Sequence, residues 1–261
     1  MNIKKYILMC GLLALLLPLA SCGTTAKNVS DTADKSDTET NNSILDTARQ
    51  DNTSTETPPD LGTKLLYQGH ASLRLTSKDG IVIYVDPYAG DGYDVPADII
   101  LVTHQHDDHN QVQLVAQKPD CTVISNAEAL ANGTHNSFSV KGIDIQSVEA
   151  GNNPNHDITQ CVGYIITING IKVYVAGDTS KTDQMATFAD MGLNYALLPC
   201  DGSYNMDAKA AAECAKLINA KHNIPYHTKP GELFYEQVAE SFDAPNRLII
   251  QPGEEIVLTA D

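Results

Sequence analysis

Apolar residues in this chain fall in short runs separated by polar turns. Lys64 to Tyr67, Ala71 to Thr76 and Ile81 to Val85 alternate or run apolar between Gly69 and the Lys78-Asp79-Gly80 turn, which predicts an opening set of antiparallel strands. Ala97 to Val102, reading ADIILV, is almost continuously apolar and contains β-branched residues, so it predicts a buried strand rather than an amphipathic helix. A short helix is expected over Asn110 to Gln117, with strands over Cys121 to Ile124 and Ser139 to Val148. Cys161 to Ile168 and Ile171 to Ala176 flank Asn169-Gly170, a strong hairpin signal. Asn194 to Pro199 reads as another buried strand, and Asp207 is placed to cap a helix running to Ala220. A strand over His222 to Tyr226, a helix over Glu232 to Phe242, and strands over Arg247 to Ile250 and Ile256 to Leu258 complete the pattern. Hairpins come first and strand-helix alternation follows, which predicts mixed sheets with helices outside.

The residues before this pattern read differently. Lys4 and Lys5, an apolar stretch from Tyr6 to Ala20 and small residues before Cys22 have the anatomy of a secretion signal over residues 1–21, too short for a stable membrane span. Leu19-Ala20-Ser21-Cys22 resembles the lipobox of bacterial lipoproteins, which implies cleavage before Cys22, lipidation of that cysteine, and a protein tethered to the cell membrane outside the cytoplasm. From Gly23 to Asp60 there are almost no large apolar residues, so ordering this stretch would cost more entropy than burial returns. Its eight acidic and three basic residues predict a self-repelling, extended spacer over residues 22–60, closed by Pro58-Pro59. One domain is expected over residues 61–261.

Charge narrows the partners. The chain has 17 basic and 33 acidic residues, a formal net charge of -16, and no basic run. Nucleic acid and anionic lipid surfaces are therefore not expected as partners of the bare protein, whereas a small-molecule substrate is. Cys121, Cys161, Cys200 and Cys214 each lie in or beside an apolar segment and are expected as buried thiols, although an exported chain permits disulfides. No pattern speaks to the oligomeric state.

Candidate chemistry concentrates where the ADIILV strand ends. Thr103 to His109 reads THQHDDH and sets three imidazoles beside Asp108. In an extended exit loop His104 and His106 point to one side and can share one ion, while Asp108 and His109 follow a turn and can serve a second. Imidazole and carboxylate donors suit zinc first and tolerate manganese or iron. Other strands also deliver polar tips: Asp86 after Val85, Asp178 in Gly177-Asp178-Thr179, and His227 after Tyr226. Asp86 reads equally as a turn initiator or as a partner orienting a ligand imidazole. His156 lies in a polar loop, and His70 in a turn.

Together, THQHDDH, His156, GDT and IPYH resemble the metallo-β-lactamase-fold superfamily of metal-dependent hydrolases. GHASLRL, IVIYVDP, VGYIITINGIKVYVAGDTS and the LLP…YNM stretch look closest to its ascorbate-6-phosphate-lactonase-like branch, over essentially all of Leu61 to Asp261. The resemblance implies an α+β fold, an αββα sandwich with metals at one edge of the paired sheets. It also implies two divalent ions, one held by His104, His106 and His156, the other by Asp108, His109 and His227, with Asp178 bridging. His135 competes with His156 for the third position of the first set, and His222 is expected to face elsewhere.

The expected activity is hydrolysis of a small ester, lactone or phosphoester by water activated on the metals, with Asp108 orienting that water and His70 assisting as a proton donor or substrate contact. A surface lipoprotein that merely binds metal or ligand is the alternative. An amidohydrolase barrel also opens with His-x-His after a strand, but it needs about 250 residues for its eight units and lacks the Asp-His that follows here.

Overall fold

The computed structural model describes residues 62–261. The expected signal segment, the spacer and Cys22 lie outside the described residues. A first sheet is built from β1 (Thr63–Gly69), β2 (Ser72–Thr76), β3 (Val82–Val85), β4 (Ala97–Leu101) and β5 (Gln117–Ile124), leading into α1 (Asn126–Ala129). A second contains β6 (Ser137–Val140), β7 (Ile143–Glu149), β8 (Val162–Ile168), β9 (Ile171–Val175) and β10 (Tyr195–Pro199). Helix α2 (Ala208–Ile218) precedes β11 (His222–Tyr226), and α3 (Glu236–Ser241) precedes β12 (Glu255–Leu258). The first sheet is ordered β12-β1-β2-β3-β4-β5 and the second β11-β10-β9-β8-β7-β6. Both are mixed: β3, β4 and β5 run parallel to one another, as do β9, β10 and β11, while the remaining pairs are antiparallel.

Strand periodicity explains the layers. In β3 and β4, Ile83, Val85, Ile99 and Leu101 face the second sheet and meet Val162, Tyr164, Val173 and Val175. Their neighbours Val82, Tyr84 and Ile100 pack outward with Val102 and Val115. Each fully buried Leu or Ile contributes roughly 1.5–3 kcal/mol relative to exposure, so the slab between the sheets is the main stabilising unit. The outer face of the second sheet, through Ile165, Tyr174, Ala196 and Leu198, is covered by α2 and by the 3₁₀ segment Asp183–Met191, which buries Met185 and Phe188. The expected sandwich is present, with its helical cover uneven.

Four expected elements differ. Asn110 to Gln117 forms only the single 3₁₀ turn Val112–Leu114, because the chain is drawn back to pair with β4: Ala97 N–H donates to Ala116 O (2.8 Å) and Gln117 already belongs to β5. Ser139 to Val148 is not one strand, since Lys141 and Gly142 take left-handed φ values of 52° and 80° and fold it into the β6–β7 hairpin. Glu232 to Tyr235 stays non-helical because its carbonyls are used by His70 and Tyr67, so α3 begins at Glu236. Arg247 to Ile250 makes a single bridge, Arg247 to Asn223, rather than a strand. The four cysteines are free thiols, with Cys121 half-buried.

Candidate metal centre

Carboxyl ends of parallel strands build most of the site. β3 delivers Asp86 and β4 delivers Thr103 to His109. In the second sheet β9 delivers Asp178, β10 delivers Asp201 and β11 delivers His227. His70 comes from the two-residue turn between β1 and β2, and His156 from the β7–β8 connection. Three buried tyrosine hydroxyls fix these tips. Tyr67 donates to His70 O (2.9 Å), Tyr164 to Val102 O (3.0 Å) and Tyr226 to Gly177 O (3.2 Å). A net 0.5–1.5 kcal/mol each, roughly, is small beside the core, but it is applied at His70 itself and one or two residues before Asp178 and His104. His70, Asp86 and His227 all hold left-handed φ values, of 53°, 46° and 45°. Such backbone costs on the order of 1–3 kcal/mol per residue and persists only where surrounding bonds over-determine it.

The expected residues converge. Ligand atoms of His104, His106 and His156 lie within 4.8 Å of one another, as do those of His70, Asp108, His109 and His227, and those of His104, His109 and Asp178. Asp178 touches members of both expected sets, with Oδ1 3.3 Å from His109 Nε2 and Oδ2 3.2 Å from His156 Nε2 and 3.5 Å from His227 Nε2. His135 and His222 belong to none of these groups. His135 is near Ser147, and His222 stacks on Tyr195 (4.9 Å) at the opposite end of β11.

Buried neighbours decide which ring nitrogens are free. Asp86 accepts Thr103 N–H (2.8 Å) and the Thr103 hydroxyl (2.7 Å), and His109 Nδ1 lies 2.8 Å from the same carboxylate. With its proton spent on Asp86, the Thr103 oxygen can only accept, so it takes the Nδ1–H of His104 at 3.1 Å. Asp86 thus orients one imidazole directly and another through a hydroxyl. Both rings are left with Nε2 lone pairs directed into the site, and neither Nε2 has a hydrogen-bond partner among the described residues. The same logic applies to His227, whose Nδ1 lies 3.3 Å from Asp201 Oδ2, off the ideal hydrogen-bond line.

This donor set fits a cation. His109 Nε2 and Asp178 Oδ1 are two buried lone-pair atoms 3.3 Å apart with no hydrogen-bond partner among the described residues, an arrangement that calls for positive charge between them. Burial disfavours a charged His109 ring, but Asp178 and Asp86 outweigh it and raise its pKa well above the usual value, so a proton substitutes when no cation is bound. Burial would likewise raise Asp178, yet His227 and His109 hold it well below the carboxylate range. His104 is pushed down to about 2, first by burial and then by His109, which keeps its ring neutral and able to donate a lone pair.

Asp108 and His70 stand at the cavity side. His70 is buried, with Nδ1 3.2 Å from Glu232 O and Nε2 3.1 Å from Asp108 Oδ2. Its ring lies 3.8 Å from that of His227, centroid to centroid. Asp108, 39% exposed in its side chain, is held below the usual range: burial works upward, and the His70 hydrogen bond and the charge of His109 outweigh it. A cavity of about 460 Å³ opens here, walled by His106, Asp108, His156, Asp178 and His227 together with Asn155 and Tyr204. No Lys or Arg is in that wall. A separate cavity beside Phe138, Ile145 and Met191 holds none of these groups.

Asp201, Thr103 and Tyr204 were not among the sequence candidates. Asp201 had a readable signal, being a third carboxylate at a strand tip after Asp86 and Asp178, but Cys200-Asp201-Gly202 also reads as an ordinary turn.

The model of the beta-lactamase superfamily domain matches residues 64–227. A UPF0173 metal-dependent hydrolase of Rubrobacter xylanophilus is 30% identical over 236 residues, covering 75% of this chain and 96% of the relative. One of Methanosphaera stadtmanae is 29% identical over 231 residues, covering 74% and 98%. A solved chain from Parabacteroides distasonis, described as a candidate metal-dependent hydrolase, aligns with a TM-score of 0.62 at 28% identity, over 74% of this chain and 94% of that one. The strand-tip cluster able to hold metal ions and these likenesses agree: the chain belongs to the beta-lactamase superfamily, in its UPF0173 family, and is a metal-dependent hydrolase.

Proposed function

We propose that the protein hydrolyses a small ester, lactone or phosphoester using two divalent ions, zinc in the first instance. His104, His106 and His156 would hold one, Asp108, His109 and His227 the other, and Asp178 would lie between them. The observation that carries this reading is the contact of Asp178 with His156 of one set and with His109 and His227 of the other, at 3.2–3.5 Å. Bound ions supply Lewis acidity toward a carbonyl or phosphoryl oxygen and acidify water.

The protein's own groups do the rest. Asp86 and Asp201 hold His109 and His227 with Nε2 turned inward, and Thr103 does so for His104. Asp108 is ionised at neutral pH and its Oδ2 is steered by His70, so the carboxylate is placed to accept a proton from water and return it to the departing oxygen. The cavity wall offers Asn155 and Tyr204 for contact but no cation, so a negative group on the substrate finds compensation only at the metal sets. That favours substrates whose charge, if any, is at the scissile group. Kinship with the ascorbate-6-phosphate-lactonase-like branch is proposed for the ring- or ester-opening chemistry, not for recognition of a phosphate tail.

The test is elemental analysis of purified protein combined with a panel of neutral esters, lactones and phosphodiesters. His106→Ala and Asp178→Ala are expected to lose most metal and activity while far-UV circular dichroism stays that of the parent. Unchanged turnover in either variant overturns the proposal. We propose in addition that Cys22 is lipidated and tethers the domain outside the cytoplasmic membrane, on the strength of Leu19-Ala20-Ser21-Cys22. Cys22→Ala should then move the protein from the membrane to the soluble fraction, and a parent protein without lipid by mass spectrometry refutes the tether.

A further inference from the structure

We propose that Asp201 is a positioning residue that sets the ring tautomer of His227 with one carboxylate oxygen while the other folds the loop carrying Tyr204. This rests on the reading above that His227 serves an ion.

Asp201 lies two residues past the end of β10, and its side chain has no exposed surface. Both carboxylate oxygens are committed. Oδ1 accepts the backbone N–H of Ser203 (2.6 Å) and of Tyr204 (2.7 Å), which folds the chain over itself just where Tyr204 reaches the cavity wall. Oδ2 accepts the Asn205 amide (2.7 Å) and lies 3.3 Å from His227 Nδ1. An ionised carboxylate only accepts, so a hydrogen on Nδ1 is favoured and Nε2 is left with its lone pair toward Asp178. With the opposite tautomer two acceptors would face each other at Asp201, and Nε2, carrying the hydrogen, could not donate to a cation. One carboxylate therefore serves the metal side with one oxygen and the substrate side with the other.

That double use makes an amide a sharp replacement. In Asp201→Asn the side chain keeps its shape but has one oxygen and one NH₂. If the oxygen stays with Ser203 and Tyr204, the NH₂ faces His227 and the Asn205 amide, and it selects the Nε2–H tautomer. If it turns over, His227 is served and the NH₂ meets two backbone N–H groups. Neither orientation satisfies both sides.

The experiment titrates the purified protein with zinc against a chromophoric chelator, and reads the histidine tautomers by ¹⁵N NMR of the zinc-loaded, ¹⁵N-histidine-labelled protein. The parent is expected to hold two ions and to show His227 protonated at Nδ1. Asp201→Asn is expected to keep the first affinity and to bind the second ion about 10–100-fold more weakly. Asn205→Ala removes another donor from the same carboxylate without touching His227, and should hold both ions as the parent does. Parental affinity for both ions in Asp201→Asn overturns the inference, as does an equal loss in Asn205→Ala, which would show that loop integrity alone is at stake. A parent tautomer with hydrogen on Nε2 overturns it without any variant, including in the event that Asp201→Asn fails to fold. A parent that binds fewer than two ions instead fails the two-ion reading, and this inference with it, before any variant is compared.

Discussion

Asp86 and His109 meet at 2.8 Å with no exposed side-chain surface on either, and the same carboxylate holds the Thr103 hydroxyl that accepts from His104. One residue therefore orients an imidazole in each of the two proposed metal sets. Asp86→Ala leaves two ring orientations unsupported and a buried histidine without its partner. The expected result is loss of about 3–5 kcal/mol of stability for breaking a buried pair. Zinc affinity should fall about 10–100-fold at both sites together. Urea unfolding and chelator competition check the two parts separately, and a loss confined to one ion would show that the Thr103 link carries no orientation.

Gly177, immediately before Asp178, has a φ of +65°, and a Cβ there would lie 2.8 Å from Val162 O and 2.9 Å from Thr103 Cβ. Gly177→Ala combines left-handed strain of about 1–2 kcal/mol with overpacking of about 1–3 kcal/mol. The clash pushes on Thr103, which stands between Asp86 and His104. Destabilisation of about 2–5 kcal/mol with reduced metal content is expected, measured by thermal unfolding and elemental analysis. A variant as stable and as metal-rich as the parent would refute the tight packing of these strand tips.

Far from the metals, Asp98 on β4 receives Lys118 of β5 and Lys141 of the β6–β7 turn at 2.6 and 2.7 Å, and Val82 N–H at 2.9 Å. It thereby ties the first sheet to a turn of the second. Burial works to raise its pKa, but the two lysines and the Val82 N–H outweigh it and the carboxyl is lowered. A lowered folded pKa means the stabilisation is fully present above the unfolded value of about 3.9 and is lost as pH falls through the folded value. Asp98→Asn should cost about 1–3 kcal/mol at neutral pH, the lysines being partly exposed. The difference in melting temperature from the parent should shrink below about pH 4, and a constant difference across that range would contradict the ion-pair account.

Tyr204 is 52% exposed yet forms part of the cavity wall, and its side chain makes no hydrogen bond among the described residues. Its ring is available to substrate. Tyr204→Ala should raise KM for a hydrolysed ester about 10-fold, roughly the 1–1.5 kcal/mol of a stacking contact, with kcat and metal content unchanged. Tyr204→Phe should keep the parental KM. An unchanged KM in Tyr204→Ala would remove the residue from the binding surface.

Why the metal-facing part of the site was legible before the fold, and other parts were not, follows from how each is encoded. An almost continuous apolar run with β-branched residues, such as ADIILV, reads as a buried strand, and the residues that follow it emerge at a sheet edge; THQHDDH, GDT and the histidine of IPYH all follow runs of this kind. Residues that act through them leave weaker traces. Asp201 sits in Asp-Gly, which is also an ordinary turn, and nothing local says that its second oxygen meets His227. Thr103 is one more β-branched residue at a strand end. Asn110 to Gln117 carries helical spacing of Val112, Leu114 and Val115, but pairing with β4 outweighs so short an apolar face, and Lys141-Gly142 breaks an apparently continuous strand through left-handed backbone alone.

Among the described residues, every cluster of possible ligand atoms draws on both halves of the sandwich. His104, His106, Asp108 and His109 come from one sheet and His156, Asp178 and His227 from the other, so no single sheet assembles a complete group. A bound ion then acts as a rivet between layers otherwise held by apolar contact and a few polar links such as Asp98 with Lys141, and its affinity is inseparable from their docking. At a free concentration of 100 Kd each rivet adds about 2.7 kcal/mol against separation of the layers. The protein's resistance to unfolding becomes a gauge of the metal supply around it, and a chain deprived of cations loses its catalyst and a cross-link between its layers in the same event.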